Sequence, residues 1–517
     1  MSNNIFKATL LATAMGSCAL GAVSQGYTTA ALELLKERRV WFNSSNAAGT
    51  VFDNTDNYTH LKIQYDIEQG DYRRPQQGRD VKDLNVYCEG FMDLGSAYVW
   101  GEFSFDHQNA GDVGYNASVT DPYRGMPYYY IDTYHSDWRN QFYNMKFRAS
   151  TPLYWNRIAF GIEGLYRASL AAKQRDIRVD TRFFELELVP GVVYEFLPGH
   201  RLGADFRFTA IKEDSRMSRA YSYTDHDYYM LYGLGVARKY MGGGTNINYH
   251  GNRYGGALQY NFATRGFNLL LEGRYSRKVE NMDVSYSDPR KEASTDEDLL
   301  DIALDMQFTG HRFSNFVRAG YVDRGIKGIQ YLTQHDNTDS FQGWMDIFHS
   351  VRSTYDTRSA ALEYSLLRNR DEEYAWRVDL GGTYTSLSDR YLLPECRKSS
   401  ENLYLHLDAR YNFKIGDTLR RRLLVGIGGG YNSNLSGDYS YTASNPDYLT
   451  VNDIERVDEN YLTSDWYNIS ASVEYSQQWS RTRKMNVFGR AGFNYVKASS
   501  CDFDHRSSLT FAIGVNF

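Results

Sequence analysis

Apolar and polar residues alternate along most of this chain, from about Thr59 to the C-terminus, in segments of roughly 9–12 residues. In residues 403–413 the apolar positions are Leu403, Leu405, Leu407, Ala409, Tyr411 and Phe413. Polar or charged residues occupy most of the positions between them. Because successive side chains of a β-strand point to opposite faces, each segment predicts a strand with one apolar and one polar face.

A soluble β-sandwich also alternates, but two further features favour a membrane barrel. The segments are close to the roughly 9–11 residues with which a tilted strand crosses a bilayer. Aromatic residues recur at the ends of the apolar sets, as at Tyr275, Tyr411 and Tyr475, which is typical of the girdles at the lipid–water boundaries. Since every backbone polar group in a bilayer must be paired within the protein, the strands are expected to close into a barrel.

The connections between the segments alternate in length. Short links include 94–96, 197–199, 263–266, 309–311, 416–418 and 480–482, and long polar links include 107–139, 213–251, 279–296, 324–353 and 433–464. We therefore predict an all-β fold, a transmembrane antiparallel β-barrel over residues 59–517 with about 18 strands (range about 16–20), short periplasmic turns and long extracellular loops. Residues 228–239 fit either an additional strand or part of a loop.

The composition narrows the class further. Among 517 residues there are 44 Tyr, 43 Gly and only 9 Pro, which is neither a disordered nor a collagen-like signature. The mean hydropathy of −0.56 argues against a helical membrane protein. A net charge of −6 argues against a strongly basic nucleic-acid binder.

The first residues indicate export. Lys7 precedes an apolar stretch, and small residues at positions 22 and 24 predict a signal peptide over residues 1–24 that is cleaved before Gln25. A lipoprotein signal centred on Cys18 is the alternative. Residues 25–58 do not alternate, and residues 30–42 fit a short amphipathic helix. We predict a periplasmic N-terminal segment or a small plug, and a loosely ordered lead-in remains open.

The last residues alternate as a strand that ends on an aromatic residue, with the apolar positions Leu509, Phe511, Ile513, Val515 and Phe517. This pattern resembles the signal read by the barrel assembly machinery. Together with the signal peptide and runs such as YVWGEFSFDHQ (98–108) and DPYRGMPYYYIDTYHSDW (121–138), the chain resembles an uncharacterised outer-membrane β-barrel family, a domain of unknown function, of Bacteroides-type bacteria. The resemblance implies a TonB-dependent receptor and a surface lipoprotein as partners in nutrient or iron uptake.

Charges of both signs occupy the polar face of the strands, which would line the lumen. They include Arg274, Asp305, Arg377, Asp379, His406, Asp408 and Arg410. A strongly selective pore would show an excess of one sign. Mixed charge favours a barrel partly filled by ion-paired side chains and loops, or a weakly selective pore.

Aromatic residues cluster in the predicted long loops, at Tyr128, Tyr129, Tyr130, Trp138, Tyr228 and Tyr229. Their rings and polar groups fit stacking on a sugar or a siderophore. The alternative is that they pack the loops against one another.

No sequence motif indicates catalysis. G-x-S-x-G and H-E-x-x-H are absent, and we expect no cofactor or metal site and no enzyme activity. Scattered candidates for a hydrolase are Asp225–His226–Asp227, His335 with Asp336, and His406 with Asp408. Cys396 and Cys501 both fall in predicted loops and are a candidate pair.

The sequence thus favours a transport-related outer-membrane barrel, either a channel or an accessory of a TonB-dependent uptake complex. A non-conducting surface-binding or scaffold barrel is the alternative, and an outer-membrane hydrolase ranks third.

Overall fold

The computed structural model describes residues 26–53, 56–221, 223–338, 341–479, 485–499 and 503–517. The predicted signal peptide, Cys18 and Cys501 lie outside the described residues. Within them the structure is dominated by antiparallel strands, with one α-helix before the strands and another between the last strands.

The barrel contains 18 strands, as predicted. Their bounds are β1 Tyr58–Gly70, β2 Asp80–Asp93, β3 Tyr98–Asn116, β4 Tyr130–Ser150, β5 Ile158–Lys173, β6 Arg178–Leu197, β7 His200–Ser218, β10 Asn246–Thr264, β11 Phe267–Val284, β12 Arg290–Thr309, β13 Phe313–Thr338, β14 Phe341–Arg370, β15 Glu373–Leu392, β16 Glu395–Gly416, β17 Arg421–Ser440, β18 Trp466–Gln478, β19 Asn486–Ala498 and β20 His505–Asn516. β20 pairs with β1, from His60↔Asn516 to Gly70↔Arg506, and this closes the barrel.

The sequence predicted either a strand or a loop for residues 228–239. These residues form a hairpin that is not part of the barrel wall. Its strands are β8 His226–Gly233 and β9 Val236–Gly242, and β8 also pairs with β4 at Tyr130↔Met230. Because β7 pairs directly with β10, the hairpin is an insertion in the connection between two wall strands.

The predicted strand lengths were wrong. The barrel strands run from 12 residues in β20 to 30 in β14, and most of the predicted long link 324–353 is strand. β13 and β14 pair with each other to Thr338↔Phe341, well beyond the residues at which their outer neighbours stop pairing. The backbone stays paired beyond the membrane, so the alternation does not mark where the lipid ends.

The two faces of the wall divide as expected for a membrane barrel. Apolar side chains such as Leu405, Leu407, Ile469 and Ile513 are exposed on the outside, whereas the polar set points into the lumen. No helix among the described residues is long and apolar enough to cross a bilayer. We call the end where residues 198–199 join β6 to β7 and residues 265–266 join β10 to β11 the short-turn end, and the opposite end the long-loop end.

Residues 26–53, which we call the plug, lie inside the barrel at the short-turn end. Helix α1 (Thr29–Glu37) begins at Thr28, whose hydroxyl caps the Ala31 N–H, and two 3-10 helices follow, Trp41–Asn43 and Ala47–Phe52. On one side of α1, Leu34 packs against Phe316, and on another side Leu32 belongs to the cluster around Tyr58 and Trp100. The helix therefore contacts opposite walls of the barrel.

At the long-loop end three connections fold inward, and together we call them the cap. They are residues 117–129, the β8–β9 hairpin, and residues 441–465, which contain a π-helical turn (Thr450–Glu455) and helix α2 (Arg456–Leu462). Buried side chains from all three meet in one apolar cluster that includes Met126, Met230 and Ile454.

Candidate functional site

The plug is bonded to the lumen wall by charged groups on several strands. Glu33 pairs with Arg410 on β16 at 3.1 Å. Glu37 pairs with Arg318 on β13 at 2.8 Å and with Arg377 on β15 at 3.1 Å. The helix is thus fixed to one half of the wall by its carboxylates.

Arg148 on β4 holds the next part of the plug from the other half of the wall. Its guanidinium donates to the carbonyl oxygens of Phe42 and Ser44, each at 2.7 Å, and pairs with Glu163 at 2.5 Å. A planar fork of donors satisfies backbone carbonyls that would otherwise be buried without partners. Lys146 also contacts Glu163, at 3.1 Å.

The turn between the two 3-10 helices contacts the wall through short polar side chains. The Ser44 hydroxyl donates to Glu272 at 2.6 Å, and the Ser45 hydroxyl donates to Asp205 at 2.7 Å. The Asn46 amide donates to the carbonyls of Val192 and Ala204 on two neighbouring strands.

Wall glycines let the plug backbone approach this closely. A Cβ on Gly161 would lie 2.2 Å from the Ala48 nitrogen, and one on Gly191 would lie 2.3 Å from Asn46 Oδ1. Inside the plug itself, a Cβ on Gly49 would lie 2.0 Å from the Trp41 ring. These glycines and Arg148 were missed by the sequence analysis, and a charge on the inward face of β4 was the available signal.

A hydrogen bond between Trp41 and Asp53 joins the two ends of plug residues 41–53. The Trp41 backbone N–H donates to Asp53 Oδ1 at 3.1 Å, while Asp53 Oδ2 has no hydrogen-bond partner among the described residues. Burial raises the pKa of Asp53 to about 7, although the Trp41 N–H bond and the charges of Arg39 and Arg148 act to lower it. This carboxyl therefore changes charge near neutral pH.

A polar cavity of about 330 Å³ remains in the lumen beside the plug. It is lined by residues that include Gln64, Asp408, Arg410, Arg490 and Thr510. Charges of both signs line it, and Asp408 and Arg410 from the predicted lumen set are among them.

The other predicted lumen residues are engaged with neighbours. Asp305 accepts from Asn43 of the plug at 2.6 Å, and Arg274 pairs with Glu272 and Asp301. Asp379 pairs with Arg377 at 2.7 Å. The ring of His406 stacks on Tyr404, with centroids 5.5 Å apart. Mixed charge in this lumen is used largely for internal pairing, one of the two predicted alternatives.

The six predicted loop aromatics all lie in the apolar cluster of the cap. All six are buried and belong to its apolar cluster: Tyr128, Tyr129, Tyr130, Trp138, Tyr228 and Tyr229. Tyr130 and Trp138 are in strand β4 rather than in a loop, and Tyr228 and Tyr229 are in β8. This placement favours the alternative in which the rings pack the loops together, except that Trp138 also lines a cavity.

The scattered hydrolase candidates do not assemble into one group. Asp225 pairs with Arg219 and Asp227 with Lys239, on an exposed part of the cap. His335 lies 3.4 Å from Asp288 on the neighbouring hairpin. Among the described residues no cluster of three or more His, Cys, Asp or Glu is placed to hold a metal ion. Cys396 is buried and unbonded to Cys88, and its predicted pairing with Cys501 lies outside the described residues.

The model of a protein family of unknown function, DUF6850, matches residues 47–517 of this chain. No curated protein matches it.

Solved structures with a similar outline are membrane barrels. The ferric preacinetobactin receptor BauA of Acinetobacter baumannii is 8% identical over 90% of this chain and 81% of that chain, with a TM-score of 0.40. The copper transporter OprC is 9% identical over 89% and 80%, with a TM-score of 0.41. OpdK of Pseudomonas aeruginosa, solved with vanillate, is 11% identical over 89% and 99%, with a TM-score of 0.35. At these scores the likeness carries no argument about function.

Proposed function

Because the chain belongs to the DUF6850 family, to which no function is assigned, we propose from its own geometry that it is a gated outer-membrane transport channel. The observation that carries the proposal is the plug. One segment of 28 residues, 26–53, lies in the lumen at the short-turn end and is bonded to β4, β7, β11, β12, β13, β15 and β16.

The chemistry of these contacts suits a gate. The plug is attached by many ion pairs and hydrogen bonds to a polar lumen, beside three small apolar clusters around Leu32, Trp41 and Leu34. The polar bonds exchange for bonds to water at a small net cost. An 18-stranded wall is wide enough for a water-filled bore once it is vacated. Displacement of the plug would therefore open a path lined by charges of both signs.

The first experiment measures single-channel conductance of the purified chain and of a variant lacking residues 26–53, both in planar bilayers. We expect the complete chain to be closed and the deletion to give sustained conductance steps. A synthetic peptide of residues 26–53, added to the deletion variant, should close it again, whereas a scrambled peptide should not. Steady conductance of the complete chain, or steps that the peptide does not block, would contradict the proposal.

A second candidate function is a non-conducting surface-binding barrel, which the apolar core of the cap favours. Such a core packs loops over the lumen and would keep the barrel closed without the plug. A deletion variant that is folded, as shown by a heat-dependent shift in gel mobility, and still silent would support this candidate instead. Association with a TonB-dependent receptor and a surface lipoprotein stays a prediction, which copurification after gentle detergent extraction tests.

A further inference from the structure

A second cavity lies at the long-loop end, between the barrel wall and the cap. Its volume is about 610 Å³, within the range of roughly 300–1,000 Å³ typical of small-molecule sites. Strands β1–β4 and β18–β20 contribute to it, together with residues from the links 71–79 and 117–129 and from helix α2. We call it the cap cavity.

Strand β4 presents an aromatic–amide–aromatic row to the cap cavity. Trp138, Asn140 and Phe142 all line it, and alternate residues of a strand share one face. At the usual strand rise the Cα atoms of Trp138 and Phe142 are about 13 Å apart, which is longer than a single sugar ring. The Trp138 ring is buried in the cap cluster, whereas Phe142 is only half-buried and offers ring surface to the cavity.

Five residues that line the cap cavity each carry a buried side-chain polar atom with no hydrogen-bond partner among the described residues. These atoms are Gln76 Nε2, Thr120 Oγ1, Trp138 Nε1, Asn140 Oδ1 and Arg506 Nη1. The side chains of Gln76 and Trp138 are more than nine-tenths buried, with 5% and 3% exposed. Buried polar groups are nearly always paired, so this concentration indicates that a polar ligand completes them.

The unpaired atoms include both hydrogen-bond donors and hydrogen-bond acceptors. Gln76, Trp138 and Arg506 offer N–H donors, Asn140 offers an acceptor, and the Thr120 hydroxyl can do either. A hydroxyl group both donates and accepts and can satisfy each of them. A carboxylate or phosphate only accepts and would leave Asn140 Oδ1 unpaired.

The charge of the cavity also disfavours an anion. Arg506 is ion-paired with Glu68 and donates to the Gly78 carbonyl at 3.0 Å. Asp121 also lines the cavity, so positive charge is not in excess. An anionic iron chelate would therefore find no net attraction there.

We propose that the cap cavity binds a neutral oligosaccharide. A sugar ring stacks on Phe142, and the sugar hydroxyl groups pair with Gln76, Asn140 and the Trp138 N–H. This assignment goes beyond the proposed channel and does not depend on whether the barrel conducts, because binding is measured without a membrane potential.

The test uses the complete chain in detergent on an array of short neutral glucans, mannans and xylans, with sulfated and sialylated glycans and dihydroxybenzoate as anionic probes. The best neutral glycan is then titrated by calorimetry. We expect the neutral glycans to bind and the anionic probes to bind more weakly. An array without any neutral binder, or tighter binding of the anionic probes, would overturn the proposal, since water alone would then fill the cavity.

Two variants locate the binding. Trp138→Phe keeps the aromatic face and removes only the unpaired N–H, so affinity should fall about tenfold. Asn140→Leu should weaken binding similarly. The matched control is Trp155→Phe, on an exposed turn at the opposite end of the barrel. If Trp138→Phe and Trp155→Phe bind the glycan with equal affinity and both are folded, the glycan does not bind in the cap cavity.

Discussion

The plug and the cap fill the two ends of one barrel by different means. The plug is a single segment whose polar side chains are bonded to the wall at many separate points, such as Glu37 to Arg377 and Ser44 to Glu272. The cap consists of three segments whose buried side chains meet in one large apolar cluster around Ile131 and Met230. The short-turn end is therefore held by many separate polar contacts beside small apolar clusters, and the long-loop end by one large apolar cluster that the cap shares with the wall, together with a few buried ion pairs.

This difference teaches which end is suited to move. Exposing buried apolar surface to water costs about 25 cal/mol for each Å², so a large apolar cluster is costly to open. Polar bonds are exchanged for bonds to water at a small net cost. By this measure the plug is easier to displace than the cap.

Among the variants that test this difference between plug and cap, Arg148→Met is expected to have the largest effect. The change removes the charged donors to two buried plug carbonyls, so plug docking should weaken by about 2–4 kcal/mol. Frequent channel openings and faster trypsin cleavage after Lys36 and Arg39 would report it. Arg167→Met, which removes an exposed pair with Glu185, is the matched control and should leave both unchanged.

If Arg148→Met left the plug as protected as in the unchanged protein, the wall contacts would not be what holds it. The small apolar clusters around Trp41 and Leu34 would then dominate, and the contrast with the cap would disappear.

The next effect concerns one of the buried ionic contacts of the cap. Asp458 on α2 pairs with Arg74 at 2.6 Å and with Lys398 at 2.9 Å. Although burial acts to raise its pKa, the charges of Lys398 and Arg74 hold the pKa of Asp458 at about 2. Asp458→Asn should lower local stability by roughly 2–3 kcal/mol, seen as faster hydrogen exchange in α2.

The same variant should leave the plug closed. Conductance of Asp458→Asn equal to that of the unchanged protein would keep the two ends independent, and openings as frequent as those of Arg148→Met would show that they are coupled. Asp447→Asn, on an exposed part of the same connection, is the control for exchange.

A smaller effect is expected from pH at Asp53. Its pKa is about 7 in the docked plug against 3.8 for the free carboxyl, so docking takes up a proton between these values. Raising the pH from about 5 to about 7 should therefore weaken docking by roughly 2 kcal/mol and increase the open probability.

Asp53→Asn should abolish this dependence, and Asp56→Asn, at an exposed position nearby, should retain it. A pH profile that is the same in Asp53→Asn and in the unchanged protein would assign the titration to another group.

Alternation was enough to predict the wall because each strand is recorded locally in the sequence. Residues 403–413 show it in full, and β16 is observed there. Alternation does not show where a strand leaves the membrane. For this reason residues 324–353 were predicted as a loop, although β13 and β14 continue through most of them. The plug helix was predicted over residues 30–42, but its partners were not, because Glu37 and Arg377 are separated by 340 positions.

The cap was the least predictable part. Once loops pack on one another, a ring such as Tyr128 is buried by residues from distant connections. No periodic pattern in the neighbouring sequence predicts that burial. Polar residues such as Gln76 and Asn140 carried no motif either. Only the folded structure shows that their unpaired atoms line the same cavity.

The smallest effect tests whether exposed charges help to hold the cap. Lys239 and Asp227 pair across the β8–β9 hairpin at 2.7 Å, but their side chains are 44% and 39% exposed. Water screens such a pair, so Lys239→Ala should change the stability of the hairpin by less than about 0.5 kcal/mol in hydrogen exchange. Loosening as large as that of Asp458→Asn would mean that surface charge holds the cap, and the distinction between an ionically attached plug and an apolar cap would fail.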